Sequence, residues 1–359
     1  MRYLLSIILF LVTGPSLAVQ INDLYSATVA VDDQSLPARN TAINVAFKKV
    51  LQKVSGRASV LANTSISTAL LNVGSYVDQF QYKKTADDYS GYWLTVSFQK
   101  AAIDKFMQQH EVPVWGSNRP DILLWLAVED GDSRYVLDED RAGLLSLFKK
   151  KAADTGLAVT VPLFDLKDHA SVGFGDVWGG RSDKIWQASQ RYGAKQVLFG
   201  RLQKETANTW RLNWNLINAQ GSYNELSQPA TLEGVLQMGL TSVSERLANI
   251  YAPRGTVVKN QVIVEVNGVK DLAQFVRVTE YLSSLDKVDQ LEWLQVAGSK
   301  VVLELSVSGD VDVLKSIIAL NTVLLPDAPP AQTQVINAAD AINEAPRQPL
   351  AQTFYYKVD

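Results

Sequence analysis

The chain has 359 residues, 47% hydrophobic and 20% charged, which is ordinary globular composition with room for two or three domains. Lys and Arg total 34 against 37 Asp and Glu, a formal charge of -3, so no cationic surplus exists to hold nucleic acid. There is no cysteine, which excludes disulfides, thiol nucleophiles, thiolate metal sites and iron–sulfur clusters.

Arg2, the apolar run Tyr3 to Val12, and Gly14-Pro15 before Ser16-Leu17-Ala18 have the layout of a signal peptide over residues 1–18, cleaved after Ala18. The expected location is the periplasm. No later apolar run reaches the roughly 20 residues of a membrane helix, so no transmembrane segment is expected after cleavage.

Residues 19–112 read as a small α+β domain. Leu24 to Val31 alternates like a strand, and Ile43, Phe47, Val50 and Val54 mark one face of a helix over Arg39 to Ser55 that Gly56 ends. A helical piece near Ser65 to Leu71, strands at Val77 to Lys83 and Tyr92 to Phe98, and a helix carrying Ile103, Phe106 and Met107 complete it. Residues 113–120, with two prolines and a glycine, read as a linker.

Residues 121–252 read as a central α/β domain with a mostly parallel sheet. Its clearest stretch is Lys184 to Leu202, where Ile185, Ala188 and Tyr192 recur at helical spacing, Gly193 turns the chain and Gln196 onward is a compact apolar strand. Asp121 to Val128 is nearly continuously apolar, as suits a strand buried on both faces beside it. A helix is expected over Glu139 to Ala153, a strand over Leu157 to Leu163, and a long connection over Phe164 to Gly180. Thr209 to Ile217 alternates as a half-buried antiparallel strand, and Leu232 to Tyr251 is a closing helix.

Residues 256–325 follow the order β-α-β-β-α-β of a ferredoxin-like split βαβ domain. The elements are Gln261 to Val266, Leu272 to Leu285, Val288 to Val296, Val301 to Val307, Val311 to Ala319 and Thr322 to Leu325. Residues 326–359 hold five of the twelve prolines with much Ala, Gln and Asn, and read as a flexible tail with a final strand at Phe354 to Val358.

Chemistry is harder to find. His110 closes a helix, where a cation suits the negative end. Gly173-Phe174-Gly175 begins a dinucleotide fingerprint but Trp178 occupies the third glycine position, and Ser146 to Lys149 matches a serine–lysine pattern whose partner motifs are absent. Ligands of open α/β sheets sit beyond the carboxyl ends of the strands, and two acidic connections leave those ends. They make Glu129, Asp130, Asp132, Asp165, Asp168, His169, Asp176 and Trp178 a candidate surface for a cation, an amine or a basic peptide. The same residues also suit helix caps and a solvated polar loop. For Trp93, Trp115 and Trp293 the sequence does not separate core from interface.

The block PARNTAINVAFKKVLQKVSG over Pro37 to Gly56, with YGAKQVLFGRL from Tyr192 and VEVNGV from Val264, resembles an uncharacterised exported proteobacterial family, domain of unknown function 2066, over nearly the whole mature chain. More loosely, the turn and strand from Gly193 to Gly200 are similar to those of the TolB N-terminal domain and of curli-secretion and penicillin-binding-protein activator domains. Those resemblances imply a periplasmic adaptor whose partners are envelope proteins, and they bring no catalytic residues. The expectation is therefore a non-catalytic protein-binding or envelope-assembly protein without a cofactor. An envelope hydrolase, or a solute- or metal-binding protein using the acidic loops, stands as the alternative.

Overall fold

The computed structural model describes residues 23–64, 66, 70–84, 91–254, 259–329 and 352–358. The signal peptide and most of the helical piece near Ser65 to Leu71 lie outside them. No helix among the described residues is long and apolar enough to cross a membrane.

The N-terminal domain is a 3-stranded antiparallel sheet, β1 (Ser26–Val31), β2 (Val77–Lys84) and β3 (Tyr92–Phe98) in the order β1-β3-β2. Helix α1 (Leu36–Ser55) starts where the Ser35 hydroxyl accepts from the Ala38 amide and ends at Gly56, whose φ of 67° is the left-handed conformation. Its apolar stripe and that of α2 (Lys100–Gln109) bury Phe47, Val50, Ile103 and Phe106 against Leu94 and Val96. His110 caps α2 with its ring on Phe106.

The central sheet has 6 strands: β4 (Asp121–Asp130), β5 (Ser133–Val136), β6 (Ala158–Thr160), β7 (Gln196–Lys204), β8 (Trp210–Asn218) and β9 (Gly221–Leu226). β4 runs parallel to β6 and β7, but β5, β8 and β9 join as antiparallel hairpin partners, so the sheet is mixed rather than mostly parallel. β5 and β9 are short, polar and largely exposed, and therefore carry no apolar rhythm to read. The strand expected over Leu157 to Leu163 shrinks to β6.

Alternate residues of β4 serve two cores. Ile122, Leu124, Leu126 and Val128 face α3 (Ala142–Asp154), with Leu145 and Phe148 on that helix. Leu123, Trp125 and Ala127 face the opposite layer. There the expected long connection is instead two short helices, α4 (Leu166–Ser171) and α5 (Phe174–Trp178), followed by α6 (Ser182–Ser189). Side-chain capping by Asp165 and Asp176 lets such short segments close on themselves. Helix α7 (Leu232–Tyr251) lies beside α3 on the first face. Ser146 and Lys149 of the serine–lysine pattern point to solvent on α3, and Lys149 pairs with Glu139.

The third domain contains β10 (Lys259–Asn267), α8 (Leu272–Ser283), β11 (Val288–Ala297), β12 (Lys300–Ser308), α9 (Val311–Ile318) and β13 (Leu324–Pro326) in the expected order. One strand is added. β14 (Gln352–Val358) lies parallel to β10 and antiparallel to β13, giving the sheet order β11-β12-β10-β14-β13. The last residues of the chain therefore occupy the place beside β10 that β13 takes in a plain split βαβ sheet. Phe354 and Tyr356 of β14 are buried with Val262 and Val264, so the final strand expected at Phe354 to Val358 is present and begins two residues earlier. Residues 330–351 lie outside the described ones.

The domains are not beads on a string. Central and third domains share a single apolar cluster, with α9 packed on α7. The segment read as a linker is the junction of all three. Its Trp115 is buried, its backbone N–H donates to the Val54 carbonyl, and Asn118 exchanges hydrogen bonds with Asp286 of the third domain. Arg119 is fully buried and, among the described residues, makes no ion pair. It donates to four backbone carbonyls: Lys53 at 2.7 Å, Trp115 at 2.6 Å, Gly116 at 2.9 Å and Gly156 at 2.8 Å. Its guanidinium lies 4.1 Å from the Trp115 ring centroid. Burial pushes its pKa down to about 9, so it remains cationic at neutral pH.

Candidate functional site

Glu129 and Asp130 end β4, where Gly131, with φ 60°, turns the chain into β5. Arg134 grips Glu129 at 2.7 Å, Gln203 donates to its other oxygen, and Lys204 pairs with Asp130 at 2.8 Å. Asp132 sits exposed in the turn. Both acidic connections do leave one flank of β4, since β5 pairs with its second half, β6 with its first, and β7 holds the other side.

The second group is built around Arg191, just after α6. Asp165 caps α4 by accepting from the Lys167 and Asp168 amides, each at 3.0 Å, while both its oxygens accept from Arg191 at 2.7 Å. Asp168 is buried, 1% exposed at its side chain, and accepts from Arg191 at 3.0 Å and from the Tyr192 hydroxyl. The Tyr192 oxygen in turn accepts from the Leu163 amide, and burial followed by the bond to Asp168 pushes its pKa up to about 12. His169 is exposed, its ring 4.9 Å from that of Phe164. Asp176 accepts from Lys184 at 2.6 Å and pairs with Arg181 at 3.2 Å. Trp178 stacks on Phe174 and receives Arg201 at 5.8 Å from its centroid.

Each carboxylate in these groups except Asp132 thus carries a resident cation, and among the described residues no group of His, Asp and Glu is arranged to hold a metal ion. The arrangement is a brace: Arg191, inside the stretch Lys184 to Leu202, ties α4 to the turn before β7. Sequence reasoning named the acids and missed Arg191 and Tyr192, although an arginine one turn beyond Ala188 was the available signal.

The Arg191 guanidinium, through its hydrogen bonds, holds the Asp165 carboxyl well below the usual carboxylate range. Because the folded carboxyl titrates below the unfolded one, its contribution is complete above about pH 4 and drains away as pH falls toward the folded value. Asp165→Asn, which keeps the cap acceptor, should flatten the fall in urea midpoint between about pH 5 and about pH 3. An unaltered pH profile would show that the pair is not formed in solution.

A different surface is unaccounted for by the fold. Among the described residues β11 is the outer strand of the third sheet, with register shifts between Val288 and Gln290 and between Trp293 and Gln295. Trp293 is 70% exposed, Leu294 51% and Val296 55%. Trp293 and Val296 lie opposite the buried Leu303 and Val301, on the side of the sheet that the helices cover elsewhere. Helix α8, packed on β11, adds Leu272, 75% exposed, and Val276. Of the other undecided tryptophans, Trp115 is core, and Trp93 is half-exposed beneath Lys150.

No curated protein matches the chain. Residues 18–116, which span the N-terminal domain and the first part of the interdomain junction, match the model of a family described as Domain of unknown function (DUF8605).

Proposed function

We propose that the protein is an exported, non-catalytic protein-binding component of the cell envelope, with β11 as its docking strand. The observation that carries this reading is the apolar outer strand. An unpaired edge offers its amides and carbonyls to any extended chain, and proteins ordinarily blunt such edges with charge, proline or a cover. β11 carries Asp289, Glu292 and two register shifts, but its second half presents Trp293, Leu294 and Val296. An extended apolar segment of a partner, added beside β11, would satisfy the free backbone groups and seat a side chain against Trp293. Periplasmic location rests on the layout of residues 1–18, and the adaptor role accords with the loose likeness to TolB-type and curli-secretion domains.

The acidic-loop alternative is weaker, because a cation, amine or basic peptide would have to displace Arg134, Lys204, Arg191 and Lys184 from carboxylates they already neutralise.

Photo-crosslinking from position 293 in intact cells, compared with position 45 on the N-terminal domain, tests the reading. A specific envelope protein should be captured at 293 alone. Trp293→Ala should cost about 2 kcal/mol, roughly thirtyfold in affinity for that protein, with an unchanged melting temperature. Capture only at position 45, or an affinity for the captured protein unmoved by Trp293→Ala, would overturn β11 as the docking strand.

A further inference from the structure

The central and third domains enclose a cleft of about 850 Å3 whose construction points to a second ligand, independent of the β11 surface. Its size is that of small-molecule pockets. One wall is the turn before β7, with Trp186 and Ala194 nearby, and the other is α9 and the start of β14, with Leu320 and Phe354. Tyr251, at the end of α7, lies between them and is buried.

A chain of hydrogen bonds fixes the polar floor. The Gln220 amide donates to Asn218 Oδ1 at 3.0 Å, so the Asn218 side-chain nitrogen must face Gln196 and donates to its Oε1 at 2.9 Å. That leaves the Gln196 nitrogen to donate to the Tyr251 oxygen at 3.0 Å. A backbone N–H thus orients each amide in turn, and the series ends on a phenol whose oxygen is already occupied as an acceptor. The Tyr251 hydroxyl hydrogen has no acceptor within this network. Burial pushes the phenol up to about 12, so the hydrogen is retained at neutral pH.

The charge of the cleft is one-sided. Lys195 and Lys315 line it, and among the described residues no Asp or Glu does. Lys315 pairs with Asp312 at 2.9 Å, but both ends of that pair are exposed, where such contacts are weak and readily exchanged.

We propose that this cleft binds a small amphipathic anion, an apolar chain bearing a carboxylate or phosphate. Tyr251 donates to a ligand oxygen, the walls from Trp186 to Phe354 cover the chain, and Lys195 and Lys315 attract the negative end. Because β14 forms part of the wall, an occupied cleft ties the last strand of the chain to the central domain. The surface at β11 contributes nothing to this site, so either reading can fail alone.

Calorimetric titration of the intact mature protein with laurate, dodecyl phosphate, dodecylamine and dodecyl maltoside, each below its micelle concentration, tests the proposal. At least one of the two anions should bind at least about tenfold tighter than the amine or the maltoside, and the stronger of the two identifies the preferred head group. The Lys195→Gln/Lys315→Gln double variant should weaken that anion about tenfold, and Tyr251→Phe should weaken it several-fold. Binding should also change tryptophan fluorescence in the native chain and less so in Trp186→Phe. Absence of anion binding, equal binding of all four amphiphiles, or anion affinity unmoved by the lysine variant would overturn it. The lysines are on the surface, so that last arm stands even if Tyr251→Phe perturbs folding.

Discussion

Arg119→Ala should destabilise the protein by about 4 kcal/mol and loosen the N-terminal domain from the rest. Among the described residues the side chain makes no ion pair; its work is to satisfy four carbonyls that the packing around it has removed from water. Two of those oxygens, on Lys53 and Gly156, belong to the end of α1 and to the corner after α3. Each buried acceptor left without a donor costs about 1 to 3 kcal/mol, and water entering the vacated space recovers part of the sum. Arg119→Met separates the causes, since it restores volume without donors; it should be nearly as damaging as alanine. Lysine should rescue little, having a point charge in place of a planar fork. Urea unfolding followed by fluorescence, with limited proteolysis at residues 113–120, provides both readouts. A loss below about 1 kcal/mol for Arg119→Ala would mean that the carbonyls rehydrate freely and that the junction is not held by this residue.

The buried hub explains what the sequence could and could not show. Periodicity reports which face of an element is apolar, so α1, β4, β8, α7 and the alternating β12 were legible, several to within a residue or two. It does not report partners. Arg119 stands in a stretch with two prolines and a glycine, which looks like a connection, and nothing local marks four distant carbonyls. β14 was half legible: Phe354 and Tyr356 alternate as they should, but a strand that returns beside β10 after a polar, proline-rich segment has no local signature. β5 and β9 failed for the opposite reason, being edge strands with almost nothing to bury.

The candidate acidic surface shows the same limit. The position of the acids at strand ends and helix starts was readable, and their chemistry was not, because it is decided by cations brought in from elsewhere. Arg191 follows Asp168 by more than twenty positions, and Lys204 reaches Asp130 only because β7 is the parallel neighbour of β4. Carboxylates that cap helices and accept from arginine are already satisfied, and a site open to a ligand needs groups that are not. Tyr251 is such a group, and in sequence it is only the last residue of an amphipathic helix.

Gly200→Val should be nearly as damaging as loss of Arg119, by a purely steric route. Gly200 lies in the middle of β7, where a Cβ would come 2.2 Å from the Asn213 oxygen and 2.7 Å from the Trp214 Cα. Those are backbone atoms of the neighbouring strand and cannot rotate away. Across the layer, a Cβ on Gly239 of α7 would come 2.9 Å from the Trp214 ring and 2.9 Å from Leu212. Trp214 is therefore seated between a bare strand position and a bare helix position, which lets α7 approach the sheet closely. A valine at 200 must spread β7 from β8 or expel the indole, and overpacking of this kind costs about 3 kcal/mol or more. Gly239→Leu should push α7 away and cost about as much, and the two together should cost less than their sum because both act on one ring. Gly143→Ala is the contrast: the position is exposed on α3 with nothing within 4 Å of the added carbon, so alanine there should be neutral or stabilising by up to about 1 kcal/mol. Thermal unfolding of the three single variants and the double variant decides it. If Gly200→Val melts with the native chain, Trp214 is not confined in solution as it is between these two glycines.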